Sequence, residues 1–140
     1  MRTGAVRQNA RTTMTDVVLD SSAVIAFLQR EPGSDLVAKV ITRSIISTVN
    51  AAEVVAKLTQ FGLTADEAVD SVRALPTRKL PFDLHQALNA GTMWARSKSV
   101  GLSLGDRACL ALAEAMQIPA MTSDRRWMKF KTAVEIRLIR

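Results

Sequence analysis

The stretch VVLDSSAVIAFL, residues 17–28, joins two different patterns of apolar residues. The short apolar run at 17–19 predicts a buried strand, and the spacing over 21–30 predicts a helix. Asp20 stands between them, where the strand ends and the helix begins. A carboxylate in that position either caps the helix or forms one part of a charged site. The choice between the two depends on what the rest of the chain places beside it.

Short apolar strands and amphipathic helices alternate along the remaining chain. Strands are predicted at 17–19, 44–49, 79–82, 120–122 and 133–140, and helices at 21–30, 34–43, 50–60, 64–75, 83–99 and 103–117. Ser34, Asn50 and Asp83 are predicted to begin their helices, and Thr64 with Glu67 forms a capping-box pattern. Strands separated by helices need crossover connections. The pattern therefore predicts an α/β sandwich with a mostly parallel central sheet and helices on both faces.

Charge and composition limit the classes of function. The 140 residues suffice for one domain with its own core, and the formal net charge is +6. Residues 1–15 carry three arginines and no acid, and are predicted to form a flexible basic tail, with Met1 or Met14 as the true start. Further basic residues near the end are Arg125, Arg126, Lys129, Lys131, Arg137 and Arg140. This excess suits a nucleic-acid partner, but a solvated basic surface explains it equally well.

The sequence lacks the features of membrane-spanning, secreted and cysteine-rich proteins. No apolar run approaches the roughly 18 residues needed to span a bilayer, and no apolar block follows the basic start as it would in a secretory signal. The single cysteine, Cys109, excludes an internal disulfide framework and a cysteine-rich zinc site. The expected location is cytoplasmic. Cys109 and Trp127 are predicted to pack in the core, and His85 to lie on a helix surface.

Four acids follow predicted strands or stand in the first turn of a predicted helix: Asp20, Glu53, Asp106 and Asp124. In parallel α/β sheets, ligands bind in the crevice beyond the carboxyl ends of the strands. Carboxylates at these positions would face one another across a single pocket. If they do, a cation is needed, since two carboxylates about 4 Å apart repel by roughly 4 kcal/mol at an effective dielectric constant of 20.

Each of these acids, taken alone, is also explained as a helix cap. Asp20 and Asp124 are acceptable N-caps, and the spacings from Asn50 to Glu53 and from Ser103 to Asp106 match or nearly match a capping box. A cap contributes about 1 kcal/mol. Capping does not explain why acids should converge, but sequence spacing does not establish that they converge.

The segments around the four acids resemble the PIN-domain family, and more narrowly its toxin ribonucleases of the virulence-associated protein C type. The matching segments, in order, are VVLDSSAVIAFL, TVNAAEV, GLSLGDRACLALA and PAMTSDRRW. The resemblance covers residues 16–140 and leaves only the tail outside it. It implies a three-layer α/β/α sandwich, acids gathered around Mg²⁺ or Mn²⁺, and cleavage of RNA such as tRNA or mRNA. It further implies inhibition by a cognate antitoxin and assembly as a homodimer or a toxin–antitoxin hetero-oligomer.

The residue types agree with the chemistry that this resemblance implies. Hard divalent cations prefer carboxylate and water oxygens. A bound cation lowers the pKa of water and neutralises charge on phosphate, so no nucleophilic serine or general-base histidine is needed. We expect Asp20, Asp106 and Asp124 to hold the metal directly or through water. Glu53 would help to hold it, orient the attacking water or act as base, and the number of metals stays open.

Several neighbouring polar residues are candidates for support of the site. Serines and Asn50 would position water or phosphate, although such residues more often cap helices, and arginines beside the acids would contact RNA phosphates. These candidates are Ser21, Ser22, Asn50, Ser123, Arg107, Arg125 and Arg126. The absence of tyrosine and the small number of other aromatic residues argue against an extended base-stacking platform.

Two other classes of function stay open at this point. A non-catalytic module would use the acids only as caps and the basic patches to hold nucleic acid or a partner protein. Phosphoryl transfer through an aspartyl nucleophile also needs an acid after the first strand, but such folds usually place a second aspartate where this chain has Ser22. Metal-dependent cleavage distinguishes a nuclease from the first class, and an aspartyl-phosphate would identify the second.

Overall fold

Five short strands lie at the centre of the computed structural model, which describes residues 16–140. They are β1 (Val17–Leu19), β2 (Ser44–Ser47), β3 (Arg78–Leu80), β4 (Ala120–Thr122) and β5 (Ile136–Leu138). The strand order is β3-β2-β1-β4-β5, and each neighbouring pair is parallel. The predicted parallel sheet is confirmed, with β3 at one edge as Pro81 indicates. The predicted tail, 1–15, lies outside the described residues.

Helices cover both faces of this sheet. They are α1 (Ser21–Gln29), α2 (Ser34–Val40), α3 (Thr48–Gln60), α4 (Ala65–Ala74), α5 (Leu84–Ser97) and α6 (Leu104–Met116), with short 3₁₀ helices at Ile41–Arg43 and Arg125–Lys129. Because side chains alternate along a strand, Val17 and Leu19 pack against α1 to α4, and Val18 packs against α5 and α6. The three-layer α/β/α sandwich is confirmed. None of these helices is long and apolar enough to cross a membrane.

The starts of two helices differ from the sequence-based predictions. Ser47 caps α3 by accepting a hydrogen bond from the Val49 amide, so the strand ends at Ser47 and Asn50 lies inside the helix. The prediction that Asn50 begins the helix is wrong, because the β-branched pair before it continues as helix rather than strand. Gly33 with φ +96° is the N-cap of α2, so Ser34 does not cap it. A side chain at Gly33 would also collide with Ile139.

Other local predictions are confirmed. Reciprocal capping boxes join Thr64 with Glu67 and Ser103 with Asp106, and Asp83 caps α5. His85 is exposed on α5, and Trp127 is fully buried. Cys109 is fully buried in the core between α6 and the sheet. Burial, together with the negative charges of the nearby acids, raises the pKa of the Cys109 thiol well above its ordinary value.

Candidate active site

The strand order brings the four predicted acids together at the end of the sheet where the parallel strands have their carboxyl ends. Asp20 follows β1, Asp124 follows β4, and Glu53 lies in the helix that follows β2, and these three strands are adjacent. Asp106 lies in the first turn of α6. Burial is the main cause that raises the pKa of Asp20 and of Asp106, and negative charges add to it: Asp106 and Glu53 act on Asp20, and Asp124 and Glu53 act on Asp106. The acids are therefore close enough to interact electrostatically.

The Asp20 carboxylate is buried at the base of this group, with 2% of the residue exposed. Its Oδ2 accepts hydrogen bonds from Ser22 Oγ at 2.7 Å and Thr122 Oγ1 at 3.0 Å. Its Oδ1 is buried and has no hydrogen-bond partner among the described residues. Burial raises the pKa of Asp20 to about 7, against the lowering effect of the two hydroxyl groups. A bound cation is one partner that can satisfy an unpartnered buried oxygen of this kind.

Asp20 occupies the N-cap position of α1, but its side chain makes no capping hydrogen bond. The explanation of Asp20 as a side-chain cap therefore does not hold, because the hydroxyl groups of Ser22 and Thr122 hold the carboxylate instead. Thr122 also accepts a hydrogen bond from the Asp124 amide at 3.1 Å, and so connects two of the acids. Sequence reasoning missed Thr122, although its place at the carboxyl end of β4 was a usable signal.

Glu53 is held in place from two sides. The fully buried Asn50 donates from Nδ2 to Glu53 Oε1 at 2.9 Å and to the Gly105 carbonyl at 3.0 Å. A Cβ atom added at Gly105 would collide with the Glu53 carboxylate, so this carboxylate lies directly against the backbone of α6. Gly105 was not predicted, although it directly precedes Asp106. The Oδ1 of Asn50 is a second buried oxygen without a hydrogen-bond partner in residues 16–140.

Asp106 combines a capping role with a place in the acidic group. Its Oδ2 accepts a hydrogen bond from the Ser103 amide at 2.9 Å, and its own amide donates to Ser103 Oγ at 3.1 Å. Partial burial raises the pKa of Asp106, opposed by these hydrogen bonds and assisted by the neighbouring acids. The capping explanation and the charged-site explanation therefore both hold for this residue.

Asp124 is engaged by a neighbouring cation. The Arg126 guanidinium donates to both carboxylate oxygens, with the shortest contact, Nη2 to Oδ2, at 2.6 Å. The Arg126 amide also donates to Asp124 Oδ1 at 2.9 Å, so Asp124 caps the 3₁₀ helix that follows. The hydrogen bonds from Arg126 lower the pKa of Asp124. Asp124 is thus ionised but neutralised by its partner.

The family model of the PIN domain matches residues 17–133. The chain belongs to the PIN domain family. Comparison with curated protein sequences gives no significant match.

Solved structures with the same fold share little sequence with this PIN domain. DNA-bound VapBC from Salmonella typhimurium aligns with a TM-score of 0.71 and 14% identity, over 89% of this chain and 98% of the other. VapBC-1 from nontypeable Haemophilus influenzae gives 0.68 and 14%, over 89% and 98%. FitAcB from Neisseria gonorrhoeae gives 0.64 and 18%, over 85% and 96%. At these identities the likeness concerns the fold.

The predicted supporting residues do not all lie at the acidic group. The Ser123 amide donates to Ser22 Oγ at 3.0 Å, which links β4 to the start of α1 beneath the acids. Ser21 lines a cleft beside Glu53. Arg125 is exposed. Arg107 is not among the residues brought to the site, because its Nη1 donates to the Ala90 carbonyl of α5 at 2.9 Å.

The oxygen donors at this site fit a divalent cation. Within residues 16–140, no three acidic, histidine or cysteine side chains stand in position to hold a metal ion, so an ion would complete its coordination with water or after side chains move. The donor set consists of carboxylate and amide oxygens, which hard cations prefer. The buried oxygens of Asp20 and Asn50 have no hydrogen-bond partner within residues 16–140, and Asn50 is joined to the acidic group through Glu53. A cation would have to compete with Arg126 for the Asp124 carboxylate.

We therefore expect Arg126→Gln to tighten Mn²⁺ binding by up to about fivefold, since it releases the Asp124 carboxylate from an exposed ion pair of modest strength. The measurement is titration calorimetry with Mn²⁺. Arg125→Gln is the matched control, because it removes the same charge from the adjacent exposed position. Equal tightening in both variants would mean that net charge, rather than release of Asp124, controls the affinity.

Proposed function

We propose that this PIN domain is a metal-dependent endoribonuclease that hydrolyses RNA phosphodiester bonds. The observation that carries the proposal is the group of four interacting acids at the carboxyl edge of the sheet, built around the buried, unpartnered oxygen of Asp20. Such a concentration of negative charge is costly unless a cation offsets it. The net charge of +6 supports a polyanionic substrate.

In this proposal each residue of the site has a separate role. Asp20, Asp106 and Asp124 hold Mg²⁺ or Mn²⁺, and Glu53 orients the attacking water or accepts its proton. A bound divalent cation would lower the pKa of water and offset charge that develops on the phosphate. Asn50 fixes the position of Glu53 through its hydrogen bond at 2.9 Å. Arg125 and Arg126, which follow Asp124 in the chain, would contact the RNA backbone.

We further propose that the protein acts in the cytoplasm as the toxin of a toxin–antitoxin pair. Support comes from family membership and from structural neighbours described as VapBC and FitAB, and from a further neighbour described as a toxin–antitoxin complex from Klebsiella pneumoniae. The partner would be a cognate antitoxin, in a homodimer or a hetero-oligomer. The RNA substrate would be a tRNA or an mRNA.

The experiment that tests the nuclease uses purified protein, free of any partner, with total cellular RNA and tRNA. We expect discrete fragments with Mg²⁺ or Mn²⁺ and none with EDTA. Mn²⁺ titration calorimetry on the same preparation measures the ion directly. Failure to cleave RNA together with failure to bind Mn²⁺ would contradict the proposal. RNA binding without cleavage would instead favour a non-catalytic binding module of the same fold.

A further inference from the structure

A cleft of about 560 Å³ adjoins the acids along the exposed face of α3. Glu53, Lys57 and Phe61 line it and are spaced at i, i+4 and i+8, so they follow one face of the helix. Eight residues of helix span about 12 Å. The cleft therefore leads from the acidic group to the end of α3, over a length that suits the nucleotide next to a phosphate bound at the acidic group through a cation.

The side chains of Phe61 and Lys57 form a pair in this cleft. Phe61 is 49% exposed, and the Lys57 Nζ lies 5.8 Å from the centre of its ring. No carboxylate of residues 16–140 lies within ion-pair distance of Lys57. Arg140, the other cation of the cleft, is already bound to Glu31 at 3.3 Å and to the Pro32 carbonyl at 2.9 Å. Lys57 thus has no ion-pair partner within residues 16–140, and its ammonium group lies over one face of the exposed Phe61 ring.

We propose that this cleft binds one nucleotide of the RNA substrate adjacent to the cleaved bond, with its base against Phe61 and its phosphate near Lys57. Every base has a π-face, so an aromatic ring binds it with little regard to sequence. An ammonium group complements the phosphate charge. This inference rests on the proposed function.

One ring does not make the extended stacking platform that the composition argues against, but it does serve a single base. The site would therefore tighten substrate binding without defining a base sequence. We expect Phe61 to affect KM rather than kcat, because about two turns of helix separate it from Glu53 and it takes no part in proton transfer or ion binding.

The test measures the affinity for a fluorescein-labelled 12-nucleotide oligoadenylate in the presence of Mg²⁺. All variants are made in an Asp20→Asn background, so that the RNA is not cleaved during the measurement. Phe61→Ala should weaken binding about tenfold, and Lys57→Gln should reduce the salt dependence by about one phosphate contact. Trp94 and Lys98 provide a matched control on α5, across the sheet. Trp94 is 55% exposed, and Lys98 Nζ lies 5.3 Å from its ring. Trp94→Ala and Lys98→Gln should leave the Kd within about twofold.

A second readout uses the otherwise wild-type chain, in which Phe61→Ala should raise KM about tenfold for cleaved RNA and hold kcat within about twofold. Thermal melting of each variant checks that it is folded. If Phe61→Ala leaves affinity unchanged, if the Trp94 variant loses as much, or if Phe61→Ala alters only the oligomeric state, the nucleotide site is wrong. RNA cleavage by the wild type with unchanged affinity in Phe61→Ala would overturn this site alone. Absence of cleavage would instead count against the proposed function.

Discussion

Asp20→Asn is expected to lower the rate of RNA cleavage on the order of 10³-fold and, in the absence of metal, to stabilise the fold at pH 8. The first effect follows from loss of the charge at the base of the acidic group. The second follows from burial, because an ionised carboxylate with an unpartnered oxygen destabilises the metal-free protein. Cleavage assays with Mn²⁺ and urea unfolding in EDTA measure the two effects separately.

The sign of the pH dependence follows from the raised pKa of Asp20, about 7 in the folded protein against an ordinary value of 3.8. Between these values the folded chain keeps a proton that the unfolded chain has released, so the free energy of unfolding falls as pH rises. Asparagine does not ionise and escapes this loss. From pH 4 to pH 8 the wild type should lose roughly 2–4 kcal/mol more stability than Asp20→Asn. Asp70→Asn, at an exposed position of α4, is the control. Equal pH dependence in the wild type and Asp20→Asn would contradict the assignment.

Gly105→Ala is expected to weaken Mn²⁺ binding by about 10–100-fold and to lower the free energy of unfolding by about 1 kcal/mol, the cost of the hydrogen bond that Glu53 loses. The added methyl group would occupy the space of the Glu53 carboxylate, which must then move away from Asn50. Calorimetry with Mn²⁺ and urea unfolding in EDTA measure the two effects. Gly91→Ala is the matched control, because a Cβ at this position of α5 meets nothing within 4 Å.

A double-variant cycle identifies the collision partner in this prediction. In a Glu53→Ala background the carboxylate is gone, so Gly105→Ala should cost little further stability. If Gly105→Ala destabilises both backgrounds equally, the added methyl group clashes with something other than Glu53. The close approach of α3 to α6 would then have no specific link to the acidic group.

Local patterns account for the parts of the fold and site that could be predicted. The capping box of Ser103 and Asp106 is an interaction between residues three apart, and the structure contains it as expected. The place of Asp20 at a strand end follows from periodicity alone. Parallel crossover connections place the carboxyl ends of β2, β1 and β4 at the same end of the sheet.

Contacts between distant segments account for what could not be predicted. Asn50 reads locally as a cap, yet its amide reaches Gly105, 55 residues away, and thereby positions Glu53. Asp20 reads locally as a cap, yet Thr122, 102 residues away, holds its carboxylate. Side-chain hydroxyl and amide groups have several possible partners within reach, and tertiary packing decides among them.

The burial of Cys109 turns the only thiol of the chain into a natural reporter of local opening. A thiol in the core, with a raised pKa, reacts with alkylating reagents only when α6 separates from the sheet. The labelling rate then measures the opening equilibrium of the layer that carries Asp106, under native conditions and without engineered probes. A divalent ion that bridges α6 to the strand ends would slow that labelling in proportion to its occupancy.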